Sequence, residues 1–77
     1  MNAEVDFDRF LRRIPDEMLE IIATDFVWLA YEFRGEPPEA EYIARREACR
    51  RECLRRGCPE LFRKAQRILS ASYGEAA

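Results

Sequence analysis

Residues 15–35 read PDEMLEIIATDFVWLAYEFRG, and the periodicity of this stretch decides the fold class. At about 100° per residue, Met18, Leu19, Ile22, Ala23, Phe26, Leu29, Ala30 and Phe33 fall on one continuous apolar helix face. Pro15 suits a helix start, and Asp16 and Glu17 complement the positive end of the helix dipole. Gly35 suits the position just beyond a helix end. The spacing predicts a helix over 15–34 whose apolar face is core.

The same pattern extends in both directions. Upstream, Phe7, Phe10, Leu11 and Ile14 repeat at helix spacing. They predict a short helix over 3–13, ended because a residue before proline is pushed out of the helical region. Downstream of GEPPE, a third helix over 39–56 runs until Gly57 stops it. Cys58, Pro59 and Glu60 then supply a cap, a first position and a first-turn acid for a fourth helix over 59–73. Its inner face carries Leu61, Phe62, Ala65, Ile68, Leu69, Ser72 and Tyr73, and residues 75–77 read as a frayed tail. No segment alternates with a period of two. The expectation is one all-α domain over 1–77, a small compact bundle of four helices. Phe10, Leu11, Ile22, Phe26, Leu29, Phe33, Leu61, Ile68 and Leu69 are its expected core.

Composition narrows the class. A chain of 77 residues, 48% hydrophobic and 36% charged, is neither disordered nor membrane-embedded in character. Its longest apolar run, FVWLAY at 26–31, is too short to span a bilayer. The opening MNAEVDFD is acidic and lacks the apolar core of a secretory signal. Three cysteines cannot all pair within one chain, and together these features point to a reducing, cytoplasmic setting. Twelve arginines against one lysine fit a GC-rich bacterial or phage coding sequence. Residues 1–41 hold eleven acids and four bases, whereas residues 42–77 hold nine bases and four acids. Either the two halves fold against each other and neutralise their fields, or the basic half grips a polyanion.

The stretch ACRRECLRRGCPE, residues 48–60, carries three cysteines and two arginine doublets. The doublets at 45/46, 50/51 and 55/56 recur every five residues, so they spiral around a helix instead of forming one stripe. Glu41, Glu47 and Glu52 stand four residues before Arg45, Arg51 and Arg56, the favourable order for in-helix ion pairs. Arg46, Arg50 and Arg55 lack such a partner. Arg46 and Arg50 also lie on the apolar arc that holds Tyr42, Ile43, Cys49, Cys53 and Leu54. They are expected either to pack their stems on the bundle while their heads reach acids of the first or second helix, or to stand exposed and grip a partner's carboxylates or phosphates.

Cys49, Cys53 and Cys58 are the only thiols, with no histidine in the chain and no tight C-x2-C pair. Cys49 and Cys53 therefore read as small core hydrophobes, and no metal or other cofactor is expected. Cys58, at a helix start beside Arg55 and Arg56, is expected to have a lowered pKa. A helix-turn-helix DNA reader pivoting on Gly57 would need apolar contacts near Glu52, Arg56, Arg63 and Gln66, and all four are polar. Without histidine or a Gly-rich phosphate loop, catalysis and a small-molecule substrate have little support.

The remaining anomaly is on the second helix. Val27, Tyr31, Trp28 and Ile21 lie away from its apolar face, where a simple bundle needs no second one. Either that helix is buried on two sides, or Trp28 and Ile21 form a stripe that anchors a partner. The leading expectation is a non-enzymatic regulator, adaptor or inhibitor that binds another protein, or a second copy of itself, through Ile21, Trp28, Tyr31, Arg46 and Arg50. The alternatives are a nucleic-acid-associated protein using Arg63, Lys64 and Arg67, and a thiol or metal sensor built on the three cysteines.

Overall fold

The computed structural model describes residues 3–73, with side chains from residue 5 to residue 72. Four helices account for most of it: α1 (Ala3–Arg13), α2 (Asp16–Glu32), α3 (Glu39–Arg55) and α4 (Glu60–Tyr73). The all-α bundle follows the expected order, with ends within two residues of those predicted. The expected tail at 75–77 and the inward placement of Tyr73 lie outside the described residues.

Local chemistry sets the boundaries. Pro15 is the N-cap of α2 instead of its first helical residue, with extended ψ of 165°. Its carbonyl accepts the Met18 and Leu19 N–H groups at 3.1 and 3.0 Å. Gly57, at φ 75°, ends α3. There the Cys58 N–H donates to the Cys53 carbonyl at 2.9 Å, and the Gly57 N–H to Leu54 at 3.0 Å. This is the Schellman arrangement, and it needs the left-handed backbone that glycine adopts freely.

The helices run up, down, up, down. The Phe7 ring meets Phe26 edge-on at 5.6 Å, setting α1 against the later part of α2. Phe26 and Phe33 both stack near Tyr42, setting the end of α2 against the start of α3. Lys64 reaches Glu20 at 2.9 Å, so α4 lies alongside α2 in the same direction. The central contact is α2 on α3; α1 rests mainly on α3 and α4 mainly on α2. The Cα envelope of 37 × 28 × 15 Å is two helix layers thick.

This layout corrects the expected core. Leu19, Ala23, Val27 and Ala30 are the buried residues of α2, with Ile22 and Phe26 half-buried beside them. The buried face is rotated roughly 65° from the expected one. Val27, placed away from the core by the sequence pattern, is only 4% exposed, whereas Met18 is 45% exposed. The reason is that α3 and α4 cover α2 from two sides, so the core takes the arc between them. Phe10 and Ile68, both expected in the core, are exposed; Leu29 and Phe33 are half-buried. Leu11, Ala48, Cys49, Cys53, Phe62 and Ala65 complete the buried apolar set.

A polar clamp joins three helices. Glu52, the in-helix partner expected for Arg56, is only 5% exposed. It accepts Arg55 through Nε and Nη2 at 3.0 and 2.6 Å, and Arg56 through Nε at 2.8 Å. The Arg56 guanidinium then donates to Asp16 and to the Leu11 and Ile14 carbonyls, each at 2.7 Å. Arginine therefore supplies the cation and donors that the end of α1 lacks. Arg55, expected to be unpaired, is held by the same carboxylate.

Candidate partner-binding surface

The third helix settles where its unusual arginines point. Its apolar arc divides in two. Cys49 and Cys53 are buried and Tyr42 joins the aromatic contacts with α2. Ile43, Arg46, Arg50 and Leu54, spaced i, i+3, i+7 and i+11, line the seam between α3 and α4. Near the Gly57 turn the seam is a depression of about 140 Å³ containing Arg50, Leu54, Phe62 and Arg63. Farther along it widens to about 320 Å³, with Val27, Ala30, Tyr31, Ile43, Arg46 and Leu69 in its walls. Gln66 belongs to both parts. The widening follows from topology, since α4 leaves the tight turn to pack chiefly on α2.

Arg46 and Arg50 are not without partners, as the four-residue spacing rule suggested. Both donate through Nε to Glu47, at 3.4 and 2.8 Å. The two cations hold the Glu47 carboxyl below its ordinary value, the Arg50 hydrogen bond contributing most. Arg51 pairs with Asp8 at 3.5 Å instead of with Glu47, while the Glu41–Arg45 and Glu52–Arg56 pairs form as expected.

The other candidate residues separate. Tyr31 is half-buried, with the Arg34 guanidinium stacked 4.0 Å above its ring. Trp28 is half-buried and engaged with its surroundings, so it is not a free aromatic anchor. Ile21 is 61% exposed on the outward side of α2, apart from the seam. Lys64 is tied to Glu20, whereas Arg63 and Arg67 are exposed and carry no ion pair among the described residues. The sequence reading passed over Val27, Phe62 and Gln66 as seam residues. Leu54 was visible in the arc with Arg46 and Arg50; their i, i+4 spacing from 46 to 54 was the available signal.

A larger depression, about 380 Å³, lies between α1 and α3 along Ala40, Ala44 and Ala48. Its arginines are already engaged: Arg45 lies over the Phe7 ring and pairs with Glu41, and Arg51 pairs with Asp8. It is a shelf of small side chains whose two arginines pair with two separate carboxylates at 3.5 Å, whereas one carboxylate fixes both Arg46 and Arg50.

The surroundings of all three thiols favour the protonated form. Burial pushes Cys49 up to about 12 and Cys53 up to about 11. Cys58 is also raised, by burial and then by the Asp16 carboxylate, which overturns the expected lowering. Arg56, the cation nearest in sequence, is committed to Glu52 and Asp16. Among the described residues no three His, Cys, Asp or Glu side chains converge to hold a metal ion. None of the described helices is long and apolar enough to cross a membrane. No family model, curated protein or solved structure matches the chain.

Proposed function

We propose that the chain is a non-enzymatic binding module that regulates, bridges or inhibits another protein by direct contact. The observation that carries this reading is the α3–α4 seam: an open apolar floor with tyrosine and arginine at its edges. Grooves between helices accept the apolar face of a partner helix, and Tyr and Arg are favoured where binding energy concentrates. Tyr31, Arg46 and Arg50 belong to this surface; Ile21 and Trp28 do not line it. The non-enzymatic part is supported by the lack of histidine and by the commitment of the buried acid, Glu52, to two arginines.

The test uses Leu54→Asp, because Leu54 is 51% exposed and the fold should tolerate the change. Tagged wild type, Leu54→Asp and Ile21→Asp are compared for capture of proteins from an extract of the native host. Loss of one captured protein with Leu54→Asp and its retention with Ile21→Asp supports the seam. The reverse pattern moves the surface to α2. Capture of RNA that depends on Arg63 and Arg67 would replace the reading with nucleic-acid association.

A further inference from the structure

We infer that the seam between α3 and α4 takes an acidic amphipathic helix of a partner protein. This rests on the reading of the seam as the binding surface and adds the chemistry of its occupant.

Charge is the first argument. Arg34, Arg46, Arg50 and Arg63 line the two parts of the seam, against one acid, Glu39. Glu39 already accepts the Gly35 N–H at 2.9 Å. Glu47 engages Arg46 and Arg50 only through Nε, so their terminal Nη groups keep no partner among the described residues. One carboxylate thus fixes the two side chains while leaving the outer donors of each guanidinium open. A planar guanidinium held this way is prepared for a second carboxylate, which it binds with two parallel hydrogen bonds.

Shape is the second. Ile43 and Leu54 mark the ends of the apolar floor, eleven residues apart on one helix, or roughly 16 Å. That is about three turns, the length over which a docked helix presents apolar residues at i, i+4, i+7 and i+11. Acidic residues flanking those positions would meet Arg46, Arg50 and Arg63. Single-stranded nucleic acid fits less well, because the Phe62 ring in the floor is buried and the tyrosine ring is covered by Arg34, which leaves no open ring for a base to stack on. A second copy offers an acid-flanked apolar stripe on α2, but its exposed part, Met18 and Ile21, spans only one turn.

The experiment titrates the protein with two labelled synthetic helical peptides and follows fluorescence anisotropy. Both carry leucines at i, i+4, i+7 and i+11; one is flanked by glutamates, the other by lysines. The glutamate peptide should bind saturably and about tenfold or more tighter than the lysine peptide. Its affinity should fall about tenfold in Arg46→Gln/Arg50→Gln and in Leu54→Asp, each checked for fold by circular dichroism. Equal binding of both peptides, or binding of neither, overturns the inference. So does displacement of the glutamate peptide by single-stranded RNA, or sedimentation showing self-association that Leu54→Asp abolishes. If the peptides fail while Leu54→Asp still removes a protein captured from extract, the surface stands and the acidic helix falls. If Leu54→Asp leaves that capture intact, both fall.

Discussion

At the scale of the residue, the core is built from small side chains. Ala23, Ala30, Ala48, Ala65, Cys49 and Cys53 are buried, and Leu11, Leu19 and Phe62 supply the bulk among them. Small residues let helices approach closely, so the loss of one large neighbour leaves a void that cannot easily collapse. Leu19→Ala should cost about 2–5 kcal/mol in urea unfolding, whereas Met18→Ala should cost under about 1 kcal/mol. A Met18→Ala cost as large as that of Leu19→Ala would show the core face of α2 to be the one read from its periodicity, which holds both residues. Glu52 makes a separate claim. Arg55 and then Arg56 outweigh its burial and hold its carboxyl at about 2, down from the ordinary 4.5. A depressed acid contributes stability that is full above about pH 4.5 and lost as pH falls toward about 2. Glu52→Gln should therefore lower stability at neutral pH and flatten its fall between those limits, measured by thermal melts across the acid range. A melt profile as steep as wild type would mean that Glu52 does not set it.

At the scale of the element, α1 is held by few groups. Leu11 is its buried residue, Phe7 packs beside Phe26, and Arg56 grips the carbonyls at its end. Arg56→Ala should release α1 before the rest of the bundle unfolds. Hydrogen exchange should then quicken over residues 5–13 while the middle of α2 and α3 stays protected. Uniform loss of protection would instead make the clamp a requirement for the whole fold. The sequence displayed helix number and order well, because Pro15, Gly57 and Pro59 act through local backbone chemistry, whereas Gly35, expected at the end of α2, lies two residues past its C-cap Phe33. It did not display which arc of α2 is covered. Met18 and Val27 are both apolar, and only the positions of α3 and α4 decide that Val27 is enclosed and Met18 is not. The clamp was half legible: Glu52 and Arg56 stand four apart, but their burial depends on Asp16 and the α1 carbonyls arriving from forty or more residues away.

At the scale of the whole molecule, the acidic first half and the basic second half meet. Asp8–Arg51, Asp16–Arg56 and Glu20–Lys64 all bridge them. This gives substance to mutual neutralisation, with individual exposed pairs such as Glu20–Lys64 worth under about 1 kcal/mol. What the pairing does not absorb is the cationic edge of the α3–α4 seam. Two helix layers leave every helix an outer side, so Ile21, Met18 and Phe10 are exposed without marking a site by themselves. The seam differs because its apolar floor and its available arginine donors coincide. The most direct test of that claim is methyl NMR of the isoleucine- and leucine-labelled protein, titrated with the partner captured from its native host. The account predicts that the Ile43, Leu54 and Leu69 methyl signals shift on binding while Ile21 stays in place. Shifts at Ile21 with Ile43 and Leu54 unmoved would contradict it.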